Sequence, residues 1–123
     1  MRPGTMGRMP TWEDVVAIAS QLPAVEEAMW YRTPGLKVAG KGFARLRTEA
    51  EGGLVLMCGL DEKAALLASG DPAFFTTPHY DGHGAILVDL AHVDRTQLAE
   101  LIEESWRSKA SAKLRTAFDA ESH

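Results

Sequence analysis

The segment HYDGH at residues 79–83 is the densest group of potentially reactive side chains in the chain. Its two imidazoles and one carboxylate could supply a general base or two metal ligands. Two histidines four residues apart share one face of a helix, but Pro78 and the glycines on either side of His83 predict a turn. The spacing of His79 and His83 therefore predicts neither a metal site nor a catalytic residue. An enzyme or metal-binding protein that uses this hairpin tip is the less favoured alternative.

Elsewhere the chain lacks the motifs of known enzyme chemistry. There is no GxSxG elbow, P-loop, Rossmann fingerprint, HExxH or CxxC in the sequence. The single cysteine, Cys58, ends an apolar run at residues 54–58, which is typical of a structural thiol and excludes a disulfide within the chain. We therefore predict a non-enzymatic protein with no cofactor, in which His79 at most makes a buried hydrogen bond.

A second chemically active group consists of basic residues that occur without acids around them. Residues 28–48 contain five bases and no acid, whereas residues 61–104 contain nine acids and two bases. Strand alternation over residues 42–47 predicts that Phe43, Arg45 and Arg47 share one face. An aromatic ring beside two guanidinium groups could stack on a base and contact phosphates, although Phe43 could instead pack in the core. The predicted nucleic-acid-binding residues are Arg32, Lys37, Lys41, Phe43, Arg45 and Arg47, together with Lys109, Lys113 and Arg115 near the C-terminus.

The elements that must position these side chains follow the order α-β-β-β-β-α-β-β-α-α. Short strands are predicted at 29–32, 36–39, 42–47 and 54–58, and a hairpin at 74–90. Helices are predicted after Thr11, at 61–70, from 94 or 96 onward, and after Ser108 or Ser111. Short connections between strands favour an α+β domain, in which helices pack on one face of an antiparallel β-sheet.

Length and composition set the domain organisation. The chain has 123 residues, of which 46% are apolar, and this suits one compact domain. We predict a flexible leader at 1–10, a single domain at 11–119 and a flexible tail at 120–123. No apolar run approaches the roughly 20 residues of a transmembrane helix, and the leader lacks the apolar segment of a secretory signal. We therefore expect a cytoplasmic protein with no membrane partner.

Three segments together carry a resemblance to a known family. They are WYRTPGLKVAGKGFA at 30–44, TPHYDGHG at 77–84 followed by ILV, and the helical segment 101–106. In these segments the chain resembles the MmcQ/YjbR-like family of small bacterial proteins, over roughly residues 12–118. The resemblance implies an α+β fold similar to the frataxin/CyaY-like and secretion-chaperone-like folds. It also implies DNA as a weakly bound partner, because the family is commonly labelled a double-wing DNA-binding group.

These observations combine into one functional prediction and one alternative. We predict a non-enzymatic domain that binds DNA weakly through the basic strand and turn surface. The alternative is a protein-interaction adaptor of the secretion-chaperone type, which would hold a partner protein through tryptophan anchors. The candidate anchors are Trp12, Trp30 and Trp106, although tryptophans in a small domain more often pack in the core.

Overall fold

A computed structural model of the chain describes residues 9–30, 32–48 and 50–121. Its strands are β1 Val25–Trp30, β2 Thr33–Val38, β3 Lys41–Leu46, β4 Leu54–Met57, β5 Phe74–Phe75 and β6 Ala85–Val88. The helices are α1 Trp12–Ala19, α2 Leu60–Ala68, α3 Arg95–Lys109 and α4 Ala112–Glu121, with a 3-10 turn at Leu90–His92. The strands form one antiparallel sheet in the order β1-β2-β3-β4-β6-β5. The predicted α+β class and the predicted order of elements are confirmed.

Helix α1 begins at a capping box and is tied to α3 by an ion pair. The Thr11 side chain accepts from Asp14 N at 3.3 Å, and the Asp14 carboxylate accepts from Thr11 N at 2.8 Å. Arg95 Nη1, in the first turn of α3, lies 2.7 Å from Asp14 Oδ1. The local cap therefore also sets the contact between the two helices. None of the helices described is long and apolar enough to cross a bilayer.

The main core lies between the helices and one face of the sheet. In β4 and β6 the alternate residues Leu56 and Ile86 turn towards the helices, where α3 contributes Leu98, Ile102 and Trp106. Trp106 is fully buried, and its Nε1 donates to Pro23 O at 2.9 Å. This arrangement confirms that helices pack on one face of the sheet.

A second, smaller apolar cluster lies on the opposite face. It consists of Val55, Ala85 and Leu87, with Met57, Phe75 and Tyr80 packed against it. Phe75 lies just before the β5–β6 connection and Tyr80 lies within it. We call this connection the tip loop and define it as residues 76–84. The tip loop therefore covers part of the face that the helices leave open.

A β-bulge reverses the predicted direction of Phe43. Leu36 pairs with Ala44 and Lys37 pairs with Gly42, so Phe43 is an extra residue between two ladder positions. As a result Phe43 and Ala44 both point into the main core, and both are 0% exposed. The expectation that Phe43 shares an exposed face with Arg45 is wrong, because the bulge shifts the alternation by one residue.

Some boundaries also differ from those predicted. Strand β1 starts at Val25, after a turn in which Ala24 has a φ of 61°, and not at residue 29. Helix α4 runs to Glu121, so the tail predicted from 120 begins as helix. Pro10 of the predicted leader is buried, while residues 1–8, 122 and 123 of the predicted leader and tail lie outside the described residues.

The bulge is held by a buried serine, which makes it testable. Ser105 Oγ donates to Phe43 O at 2.7 Å, so Ser105→Ala is expected to lower the free energy of unfolding by about 1–3 kcal/mol. Ser108→Ala is the matched control, because that exposed hydroxyl bonds only within its own helix, to Ser105 O. Its effect should stay within about 0.5 kcal/mol. Urea unfolding monitored by tryptophan fluorescence measures both, and equal small losses would contradict this role of Ser105.

Candidate nucleic-acid interface

The sheet face opposite the helices carries part of the predicted basic surface. Thr33, Gly35 and Lys37 alternate along β2, and Gly35 pairs with Arg45 of β3, which in turn pairs with Val55 of the second cluster. Residues that pair directly across strands share a face. Lys37 and Arg45 therefore lie together on this face, which we call the open face.

Five of the six remaining predicted bases, all except Arg47, do not form one patch with Lys37 and Arg45. Arg32 is exposed in the turn before β2, and Lys41 is exposed at the start of β3, beside the other end of β2, which has six residues and spans about 20 Å. Lys109, Lys113 and Arg115 belong to the helical layer on the other side of the sheet. Arg115 donates to Ala110 O and Arg107 O, so it satisfies carbonyls at the end of α3.

Arg45 makes the main polar contact between the sheet and the tip loop. Its Nη2 donates to Tyr80 Oη at 2.6 Å, and its Nη1 donates to Thr33 Oγ1 at 3.3 Å. The Tyr80 ring packs on the second apolar cluster below. Sequence reasoning found Arg45 and Tyr80 separately but missed their bond, because 35 residues separate them along the chain.

Lys63 fixes the tip loop from beneath. This α2 residue is 5% exposed, and its Nζ donates to Tyr80 O and, at 2.9 Å, to His83 O. The loop is also closed by its own backbone, since Tyr80 N and Asp81 N both donate to Thr77 O at 2.9 Å. Sequence reasoning missed Lys63 and counted it only as a charge. Its position could have revealed this role. Lys63 lies three residues before Leu66, and therefore on the same inner face of the short helix.

Gly84 allows the end of the tip loop to reach the sheet. A Cβ at this position would lie 2.7 Å from Cys58 O, so any side chain would force the two segments apart.

Cys58 is half-buried, and burial together with the nearby Glu62 carboxylate raises the pKa of its thiol to about 11. The thiol is therefore protonated at neutral pH, in agreement with a structural role.

The histidine rings of the tip loop point into solvent. His79 and His83 are both exposed, and their ring centroids lie 6.3 Å apart with an interplanar angle of 27°. The prediction of a buried hydrogen bond for His79 is therefore wrong. Rings that face each other do not direct two nitrogens at one ion at the 2.0–2.1 Å that zinc requires. Among the described residues, no group of three or more His, Cys, Asp or Glu could hold a metal ion.

Two acids border the open face, although residues 28–48 contain none. Glu26 of β1 pairs across the strands with Lys37, and Arg47 Nη2 lies 3.7 Å from Glu51 Oε2. The pKa of the Glu51 carboxyl is lowered, first by the Thr48 hydroxyl that donates to it and then by nearby arginines. The basic surface is therefore partly neutralised by residues just outside the acid-free segment.

Comparison with known proteins places the chain in a family. The family model named YjbR matches residues 20–108. The chain belongs to the YjbR family. Uncharacterized proteins of Mycobacterium tuberculosis and Mycobacterium bovis are 34% identical to it over 129 aligned positions, which cover 93% of this chain and 99% of each relative. The predicted family is thus confirmed.

A solved structure supports the fold of this YjbR-family chain. The crystal structure of Deinococcus radiodurans protein DR2400, with a domain of the family named DUF419, superimposes with a TM-score of 0.67 at 20% identity. The match covers 89% of this chain and 88% of that protein. At this level of identity the comparison shows a shared architecture, and it carries no site from one protein to the other.

The role of Lys63 can be tested by replacing its ammonium with an apolar group. Lys63→Met is expected to lower the free energy of unfolding by about 1.5–3 kcal/mol, because two carbonyls lose a bond to a charged donor. Amide hydrogen exchange across residues 80–85 should also accelerate. Lys113→Met is the control, since Lys113 is exposed on α4. If tip-loop exchange is unchanged in Lys63→Met, this residue does not hold the loop.

Proposed function

We propose that this protein is a non-enzymatic nucleic-acid-binding domain that acts in the cytoplasm and contacts phosphates with the open face of its sheet. The observation that carries the proposal is the placement of Lys37 and Arg45 on adjacent strands of a face that no helix covers. Arg47 follows two residues after Arg45, but its side chain is only 12% exposed and pairs with Glu51, so the proposal depends on Lys37 and Arg45. Phosphate contacts position a nucleic acid and need clustered cations of this kind.

Arg45 retains donors for a ligand after its structural bonds are made. A guanidinium has five N–H groups, and the bonds to Tyr80 and Thr33 use two of them. Because the Tyr80 oxygen accepts from Arg45, its own proton remains available to a phosphate oxygen. These groups are hydrogen-bond donors and do not include a nucleophile paired with a base, which favours binding over catalysis.

The expected affinity is modest because the charge balance is unfavourable. The chain has a net charge of −4, and Glu26 and Glu51 border the open face. Non-specific contacts of this type have dissociation constants of about 10⁻⁴ to 10⁻⁶ M at physiological salt. We therefore propose weak, salt-dependent binding driven by the local field of Lys37 and Arg45.

The local field can be separated from the total charge by variants on opposite faces. Glu26→Gln should strengthen binding to a labelled oligonucleotide at low salt, whereas Glu100→Gln on helix α3 should not, although both change the net charge equally. Lys37→Ala should weaken binding and reduce the slope of log K against log salt by about 0.7–0.9. Lys113→Ala is its control. Fluorescence anisotropy measures all four, and equal effects on the two faces would contradict the proposed interface.

The second candidate function, a protein-interaction adaptor, is favoured by a groove between α2 and α3. Its volume is about 420 Å³ and its floor is apolar. The lining residues are Leu66, Phe74 and Leu101 on the floor, with Ser69, Asp71, Gln97, Glu100 and Glu104 around them. Asp71, Glu100 and Glu104 make the rim of the groove negatively charged. A basic amphipathic helix has the complementary chemistry.

The predicted tryptophan anchors do not form this groove. Trp106 is 0% exposed, so it packs in the core, which was the alternative interpretation, and it is not available as an anchor. Trp12 is half-buried against the main core, and the side chain of Trp30 lies outside the described part of the structure. The adaptor candidate therefore depends on Leu66, Phe74 and Leu101.

Charge reversal at the groove tests the adaptor candidate. Glu104→Lys should weaken the binding of a basic amphipathic peptide at least about tenfold, because like charges then face each other. Glu121→Lys is the control, since it makes the same charge change at the exposed end of α4. Anisotropy with a labelled peptide is the readout. Equal losses in the two variants would show that the peptide senses total charge and does not occupy the groove.

A further inference from the structure

We infer that His79 and His83 form a clamp that takes one nucleobase between their rings, so that the nucleic acid bound by this protein is single-stranded. The inference rests on the proposed function, because it names the class of ligand for the open face. Its basis is the pair of exposed, near-parallel imidazoles on the tip loop, 6.3 Å apart at an interplanar angle of 27°.

The spacing of the two rings suits the thickness of one intervening base. Stacked bases in a nucleic acid are separated by about 3.4 Å, so a base between two rings needs a gap of about 6.8 Å. The His79 and His83 centroids are 6.3 Å apart, about 0.5 Å less than this spacing, so the two exposed side chains must move apart to admit a base. The Tyr80 ring meets His79 edge-on at 4.8 Å and 88°, so it supports His79 from the side.

The clamp is mounted on a backbone that is already fixed. Lys63 holds the carbonyls of Tyr80 and His83, and Arg45 holds the Tyr80 hydroxyl. His83 N in turn donates to Tyr80 O at 3.0 Å. Because the loop backbone is already ordered, binding must order only the two histidine side chains, which lowers the entropic cost of stacking a single base.

The same contacts link the clamp to the phosphate-binding cations. Tyr80 directly follows His79, and its hydroxyl bonds to Arg45 on the open face. A strand with one base between the histidines would therefore pass its backbone towards Arg45 and Lys37. Asp81 lies at the exposed tip, where its carboxylate disfavours a phosphate, so the phosphates are expected along the strands and the base at the tip.

This geometry discriminates against duplex DNA. Bases in a duplex are paired and stacked. Flipping one of them out of the duplex lowers the binding affinity, because its stacking and pairing are lost. Bases of a single strand are free to stack on aromatic side chains, and such contacts tolerate any sequence. We therefore expect tighter binding to a single strand than to a duplex of the same length.

The experiment compares two double variants that differ only in whether aromatic rings remain. His79→Ala with His83→Ala removes both rings, whereas His79→Phe with His83→Phe keeps rings but removes the ring nitrogens. Labelled single-stranded 20-mers and the matching duplex are titrated at low salt by anisotropy. The alanine pair should weaken single-strand binding about 10- to 100-fold and leave duplex binding unchanged. The phenylalanine pair should stay within about threefold of the parent protein.

A direct readout of stacking is the fluorescence of 2-aminopurine placed in the single strand. It should be quenched by the parent protein and by the phenylalanine pair, and not by the alanine pair. Equal losses in both pairs, no loss in the alanine pair, or duplex binding as tight as single-strand binding would each overturn the clamp. Single-strand binding that depends on Lys37 but not on the rings overturns the clamp alone. Absence of binding to either oligonucleotide overturns the proposed function and the clamp together.

Discussion

The arrangement of the open face depends on one buried cation beneath the tip loop. The Lys63 ammonium is almost removed from water, and such a charge is tolerated only when polar groups surround it. The carbonyls of Tyr80 and His83 provide those groups, and each also accepts a backbone bond, from His83 N and Ala85 N respectively. The loop must therefore close around the ammonium, which brings Tyr80 onto the sheet.

The closed tip loop covers apolar surface on the face of the sheet that the helices leave open. Helices cover one face only, so Val55, Ala85 and Leu87 would otherwise leave a strip of apolar surface in water on the other. Tyr80 covers the strip with its ring and is secured by Arg45 through its hydroxyl. Arg45 consequently has two roles, since it anchors the loop and still presents N–H groups on the open face. A charge reversal at Arg45 would disturb both the fold and the proposed binding. A substitution at Lys37 would change the proposed binding alone.

The local features of the fold could be predicted from the sequence, and the long-range ones could not. The Thr11 cap, the helical spacing up to Trp106 and the turn at Pro78 depend on neighbours within a few residues, and these were predicted. The burial of Phe43 depends on how β3 pairs with β2, and a bulge in one strand is not encoded by alternation. Glu26 reaches Lys37 only through the pairing of β1, so the acid-free segment overstated the basic surface.

The backbone and the histidine side chains of the tip loop have different roles. Its carbonyls and amides make the bonds that hold the loop, while the rings of His79 and His83 are exposed and pack on no core cluster. A loop with this division can change its ring side chains at little cost in stability, because surface substitutions away from bonded groups have small effects. Gly84 and Lys63 do not have this freedom, since one allows the close approach to Cys58 and the other fills the loop. The side chains at positions 79 and 83 can therefore vary while the loop that carries them stays the same.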